Sequence, residues 1–392
     1  MAGREGVESR LVRRGDPAAR RPGRGGTQPR PADQAGTQPW PAGQAGTQPW
    51  PAGHGGGTWH VRHGPFPSGR WPALARPGWT LLVQGLDLHV AAAHAMLAPF
   101  RFVPAARLDD LMVSWASPGG GVGPHVDSYD VFLLQVQGRR RWRIGPPGDV
   151  SFIAGLPLKI LGHFEPVHDW VLEPGDMLYL PPGWGHDGVA VGGDCMTCSV
   201  GFRAPSMAEL ERELLVRLSE AAEDRPGSGR LYADAGQPAT AATGAVPVPL
   251  QRFAQRALAR ALATPGAAER ALGELLSEPK PQVWFEAGQG LPTTAVAVAL
   301  DARTRMLYDT RHAYINGESL RMGGRDAGLM RRLADQRCLG ASDVAALSEE
   351  ARAVLAQWVE AGWLHAQPRA AEGAGESSAF AGATPRMRRS VE

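Results

Sequence analysis

The stretch Pro124-His125-Val126-Asp127-Ser128-Tyr129-Asp130-Val131-Phe132 decides how this chain reads. Side chains alternate across a β-strand, so His125 and Asp127, two residues apart, share one face. The run from Asp130 to Gln137 predicts a strand, Gly138 a turn, and Arg140 to Ile144 the hairpin partner. Farther on, Leu178-Tyr179-Leu180 is strand-like and ends in Pro181-Pro182-Gly183-Trp184-Gly185, with His186 next. A barrel would fold His186 back beside the first pair. Two imidazoles and one carboxylate on one face of a ferrous ion leave three positions for O2 and a bidentate co-substrate, the ligand set of a non-haem iron oxygenase.

His-x-Asp is common by chance and gains meaning only from its surroundings. Before it lies Pro118-Gly-Gly-Gly-Val-Gly-Pro124, a loop suited to sharp turning and close backbone approach. After it comes Gly138-Arg139-Arg140-Arg141-Trp142-Arg143. An arginine directed into a barrel needs an anionic partner, because a buried unpaired charge is very costly. A dicarboxylate gripped by a bidentate fork would meet that need. The alternative is a solvated basic strand in which alternation turns some of these arginines inward.

Taken together, these segments resemble the JmjC-type ribosomal oxygenases. The likeness is carried by Asp109-Asp-Leu-Met-Val-Ser-Trp115, Pro124 to Phe132, Gly138 to Arg143, Leu172-Glu-Pro-Gly-Asp-Met-Leu-Tyr-Leu-Pro-Pro-Gly-Trp-Gly-His186 and Ser199-Val-Gly-Phe-Arg-Ala-Pro205. It runs from about Thr58 to His365 and points to the bacterial branch that hydroxylates an arginine of a large-subunit ribosomal protein at its β-carbon. The resemblance implies an α+β fold: a double-stranded β-helix (cupin) barrel, then a helical dimerisation region, then a winged-helix-like domain. It also implies Fe(II), with 2-oxoglutarate and O2 as co-substrates, succinate and CO2 as co-products, and a ribosomal protein as partner. His125, Asp127 and His186 then stand at the iron ligands, and Arg140 at the base for the distal carboxylate of 2-oxoglutarate. Ser114 and Ser199 stand at further co-substrate contacts, Ser199 being equally readable as a plain strand serine. Tyr129 and Asp130 lie near the metal, as substrate contacts or as strand packing. No catalytic group beyond the metal centre is required.

Other constellations carry less. Cys195-Met-Thr-Cys198 has zinc-like spacing but no second pair, and the third cysteine, Cys338, is far off in sequence. Three cysteines in 392 residues fit a reduced compartment. Pro118-Gly-Gly-Gly lacks the Gly-Lys-Ser/Thr ending of a phosphate loop. His163 and His168 fall in a loop-like insertion. A net charge of +2 gives no global footprint for nucleic acid, and no apolar run reaches membrane-span length. The cytoplasm is the expected location.

Five segments are expected. Residues 1–57 form a low-complexity N-terminal region containing ten-residue repeats from Thr27, Thr37 and Thr47, too poor in apolar surface to order itself. Residues 58–205 form the cupin barrel. Residues 206–280 are helical, opened by the capping box Ser206-Met-Ala-Glu209 and a stripe of Leu210, Leu214 and Leu218. Residues 281–368 form the winged helix, with strands at 295–300 and 306–308, an Asn316-Gly317 hairpin signal, and helices over 326–337 and 342–362. Its acidic-to-neutral recognition stretch speaks against direct nucleic-acid contact. Residues 369–392 are a disordered tail. Against the family, the helix and strands that normally precede Val7 to Val12 are missing, with the repeats standing before Trp59. Two other readings remain: the same chemistry on a histidine or a methylated lysine, or a non-enzymatic winged-helix binding protein.

Overall fold

The computed structural model describes residues 1–2, 4, 6–14, 58–66, 71–148, 150–220, 227–236, 238, 240, 242–292, 296–367 and 386–388. They cluster into two compact units. The first comprises residues 1–204, 281–284 and the C-terminal end, and the second comprises residues 205–280 and 285–372.

The first unit is built from β1 (Ser9–Arg14), β2 (Trp59–His63), β3 (Trp79–Val83), a short helix α1 (Ala91–Ala95), β4 (Leu108–Ala116), β5 (His125–Val126), β6 (Asp130–Gly145), β7 (His168–Leu172), β8 (Asp176–Leu180) and β9 (Gly185–Phe202). The sheet runs β8-β6-β9-β4-β3-β1-β2, with β5 on β9 and β7 on β6, and every one of these pairings is antiparallel. This is the cupin-type barrel expected. Its spine is β6 on β9, paired from Asp130↔Phe202 to Gly145↔Gly185. The hairpin expected at Gly138 does not form. The chain runs straight through it as one strand, and the register shifts at Gln135/Gln137 and Gln137/Arg139 instead. Gly138 sits at φ 61°, and a Cβ there would lie 2.1 Å from the Asp194 carbonyl oxygen, so glycine serves a bulge rather than a turn.

The bulge sets which side chains face inward. Val131 and Leu133 line the interior before it, Arg140 and Trp142 after it. Thr80, Leu82 and Gln84 on β3 keep the same alternation, as do Met112 and Ser114 on β4 and His186 and Gly188 on β9. Across Trp142, Gly188 is obligatory, since a Cβ would come within 2.6 Å of the indole. Leu178 and Leu172 share this inner face opposite Leu133 and Arg140, Leu111 and Phe202 lie on the other, and all four are almost fully buried.

Two terminal assignments are corrected. Residues 1–57 are not all outside the fold: β1 lies between β2 and β3, and Leu11 and Val7 are buried with Trp79, Phe66 and Val83. The apolar residues of Val7 to Val12 bury enough surface to order a strand, whereas the repeats at residues 27–57, with Trp40 and Trp50, lie outside the described residues. In the tail, β16 (Arg386–Arg388) pairs in parallel with β8, and the remainder lies outside the described residues.

The second unit opens with α2 (Met207–Glu220), capped by Ser206 Oγ accepting the Glu209 N–H at 3.2 Å, followed by α3 (Val248–Leu262) and α4 (Ala267–Ser277). Leu218 of the expected stripe packs on Ala267 and Ala271, with Leu214 beside it. Then come β10 (Ala297–Leu300), β11 (Met306–Tyr308), β12 (His312–Ile315), β13 (Glu318–Arg321), α5 (Gly324–Gln336), β14 (Cys338–Leu339), α6 (Ala341–Ala346), α7 (Glu349–Glu360) and β15 (Leu364–Gln367). The hairpin turns at Asn316 and Gly317, both at positive φ, as the dipeptide predicts. The single helix expected over 342–362 is two, because Ser348 starts a fresh N-cap, its Oγ accepting the Ala351 N–H at 3.1 Å. Val298, Leu333, Leu355 and Leu364 centre its core.

Because β1 is part of the sheet, Leu11→Ala should lower the unfolding free energy by about 2–4 kcal/mol, read by urea denaturation. A segment lying outside the fold would tolerate it within about 0.5 kcal/mol.

Candidate metal centre

β5 brings His125 opposite His186 at the start of β9, the two being direct cross-strand partners. Their rings lie 4.2 Å apart, tilted 55° to one another. Asp127 follows β5 directly, its Oδ2 3.5 Å from His186 Nε2 and 4.0 Å from His125 Nε2. One donor atom from each residue lies within 4.8 Å of the other two, the spacing of groups that share an ion, and no other such group of histidine, cysteine and carboxylate side chains occurs among the described residues. The cysteine pair of residues 195–198 is not part of such a group among the described residues.

Both rings are oriented from behind. His125 Nδ1 lies 2.9 Å from the Gly123 carbonyl and His186 Nδ1 3.1 Å from the Trp184 carbonyl. A proton on each Nδ1, inferred from these contacts, leaves both Nε2 lone pairs directed at the shared space. Burial, and then the neighbouring His125, push the His186 imidazole down to about 4, so it is neutral and able to ligate at physiological pH.

The cavity beside this triad holds about 710 Å3. Arg140 enters it fully buried, its Nη1 donating to Ser114 Oγ at 2.6 Å, with the guanidinium 5.6 Å over the Trp142 ring. Desolvation lowers the guanidinium pKa from its ordinary value. Arg140 Nε and Nη2 find no hydrogen-bond partner among the described residues. Burying those donors costs free energy that an anion would return, so Arg140 is not one of a solvated basic row. Its outward neighbours are paired instead, exposed Arg141 with Asp169 and half-buried Arg143 with buried Asp187.

The remaining residues sort as follows. Ser199 is buried and lines the cavity, as does Tyr129. Asp130 does not line it: its carboxylate accepts from Arg107 and from the Tyr179 hydroxyl, both at 2.6 Å, which makes it a strand clamp. His163 is exposed beside Glu165, and His168 stacks on Trp170. Sequence reading missed the wall supplied by β1 and β2, where Glu8, Arg10 and His63 reach the cavity and Arg10 Nη2 donates to Glu8 and Gln84. The strand pattern of Ser9 to Arg14 was the available signal.

Residues 95–210 match the JmjC domain, and residues 259–365 match the ROXA-like winged helix. The first match spans β4 to β9, the strands that carry the triad. Over 183 residues it is 44% identical to the ribosomal protein uL16 3-hydroxylase of Escherichia coli K12, covering 46% of this chain and 47% of that protein. Over 135 residues it is 42% identical to a probable ribosomal oxygenase of Haemophilus influenzae, covering 34% and 33%. The chain thus spans half or less of the curated relatives it matches. An X-ray structure of E. coli ycfD superposes over 93% of this chain and 88% of that one, with TM-score 0.73 and 28% identity. The E. coli ribosomal oxygenase YcfD has also been solved with cobalt and 2-oxoglutarate, and that structure matches with TM-score 0.68 at 28% identity, covering 94% and 88%.

Metal-free protein should weaken in acid with a fixed sign. The unfolded imidazole, at 6.5, binds a proton that folded His186 refuses until about 4. The contribution of neutral His186 is therefore complete above the first value and lost as pH falls towards the second. The urea midpoint should drop between about pH 7 and pH 5, less steeply in His186→Gln; equal slopes in both proteins would contradict this placement.

Proposed function

We propose that this chain is an Fe(II)- and 2-oxoglutarate-dependent dioxygenase that hydroxylates an arginine, at its β-carbon, in a large-subunit ribosomal protein. The observation that carries this reading is the convergence of the His125–Asp127–His186 triad and the unsatisfied Arg140 guanidinium on one cavity. Borderline imidazole nitrogens with one carboxylate oxygen suit Fe(II), and a buried cationic fork suits the far end of a dicarboxylate. The matched JmjC domain, the uL16 3-hydroxylase relative and the 2-oxoglutarate-bound YcfD structure support it.

His125, Asp127 and His186 would hold the metal, and Arg140 with Ser114 the co-substrate; Ser199 lines the same space. Bound iron, with 2-oxoglutarate and O2, supplies the oxidising power that ends in succinate, CO2 and a hydroxylated side chain. The chain's own part is placement. The Gly123 and Trp184 carbonyls fix the imidazoles, and Arg140 orients the co-substrate. Trp142 and Leu133 supply apolar wall beside the triad. No side chain needs to act as a general base.

Tyr129 supports a cationic substrate side chain. It lines the cavity in the field of Asp127, Asp110 and Asp109, which, after burial, raise its hydroxyl pKa well above the ordinary value. A guanidinium entering there would meet an aromatic ring. The same reading places the enzyme in the cytoplasm as a homodimer, supported by apolar residues left exposed on the helical region, among them Leu215, Val216, Leu258 and Leu262. The winged helix then faces protein rather than nucleic acid.

Purified large-subunit ribosomal proteins incubated with enzyme, Fe(II) and 2-oxoglutarate should gain one oxygen on one protein, mapping to an arginine by tandem mass spectrometry. Mapping to a histidine would redirect the substrate, and no succinate at all would contradict the activity. Asp127→Ala should abolish succinate release while the protein stays folded. Arg140→Ala should raise the 2-oxoglutarate requirement about tenfold or more, since charge-assisted hydrogen bonds are lost. An unchanged requirement would assign the co-substrate to another base.

A further inference from the structure

Arg140 is not alone in carrying unsatisfied donors into the cavity. Thr80 on β3 is 1% exposed and lines the cavity, and its Oγ1 has no hydrogen-bond partner among the described residues. An orphaned buried hydroxyl carries a desolvation cost that nothing offsets, so one that faces a cavity calls for a ligand.

Register fixes what lies beside it. Thr80 pairs with Ala116 across β3 and β4, and Leu82 pairs with Ser114. Thr80 and Ser114 are thus diagonal neighbours on the inward face, roughly 7–8 Å apart. Two hydrogen bonds of about 2.7 Å and the width of one carboxylate bridge that span. Ala116 pairs in turn with Cys195, whose thiol contacts the Arg140 guanidinium. The residues between Thr80 and Arg140 are therefore an alanine and a cysteine, both small side chains.

We infer that Thr80 is a further co-substrate-binding residue, its hydroxyl donating, with Arg140 and Ser114, to the distal carboxylate of the dicarboxylic co-substrate. This rests on the 2-oxo-acid reading proposed above and adds a residue to it. The donor arithmetic closes. A carboxylate offers about four lone-pair sites. Arg140 Nε and Nη2 offer unsatisfied N–H groups, Ser114 keeps its O–H because its oxygen already accepts from Arg140 Nη1, and Thr80 supplies the fourth donor. Trp142, whose ring stands 5.6 Å from the Arg140 guanidinium carbon and 5.9 Å from the His186 ring, marks the way from this subsite to the metal ligands.

The test is calorimetric titration of the Mn(II)-loaded full chain, without O2, using 2-oxoglutarate and, separately, pyruvate, which lacks the distal carboxylate. Thr80→Val, with Thr80→Ala as a second variant lacking the hydroxyl, should bind 2-oxoglutarate about tenfold more weakly than wild type, and Thr80→Ser should restore most of the loss. Pyruvate should bind all of them alike. Without ligand, Thr80→Val should melt at or above the wild-type temperature, because an unpaired buried hydroxyl is gone. Undiminished 2-oxoglutarate binding by both hydroxyl-less variants would overturn the assignment, as would an equal loss for pyruvate, which would mean that Thr80 acts through the fold. A wild-type protein that takes up Mn(II) but never binds 2-oxoglutarate would overturn the proposed activity, and this assignment with it.

Discussion

The antiparallel pairing of β6 with β9 is the constraint on which the rest of the first unit depends. The two strands run together from Asp130↔Phe202 to Gly145↔Gly185, and a bulge around Gly138 changes their phase part-way. A one-residue slip would turn every inward side chain outward. With the phase as it stands, Arg140 and Trp142 face the same interior as His186, and β9 delivers His186 to the point where β5 presents His125. The meeting of His125 with His186 and the inward burial of Arg140 are therefore two outcomes of one register.

That register also explains the burial of charge. A guanidinium with orphaned donors opposes folding unless something returns the lost hydration. Ser114 returns part of it through one hydrogen bond, and the remaining donors wait on a ligand. The unit thus gives up some stability to be ready for an anion, the usual relation between a preorganised site and its fold. The same relation holds for neutral, desolvated His186, which is poised to coordinate and is costly to protonate.

Much of this was legible in the sequence because it rests on local pattern. His125 and Asp127 are two apart, the turn before His186 is rich in proline and glycine, and the Asn316-Gly317 hairpin and the Ser206 cap carry their own chemistry. What was illegible depended on pairing at a distance. Gly138 has the look of a turn residue, and only the Asp194 carbonyl against it makes it a bulge. Ser9 to Arg14 precede the low-complexity repeats in sequence, and only β2 and β3, from beyond those repeats, make them an inner strand. Asp130 looked like a metal neighbour until Arg107 and Tyr179 claimed both of its oxygens. Thr80 carried no motif at all; its isolation in the folded barrel is what marks it.

The central claim is that one cavity holds a ferrous ion and a 2-oxo acid together. Its most direct test is visible absorption under anaerobic conditions as Fe(II) and 2-oxoglutarate are added. A charge-transfer band that appears only when both are present, at one equivalent of each, and that is missing from His125→Ala, is the predicted result. A protein that takes up Fe(II) but shows no band at saturating 2-oxoglutarate would contradict the account.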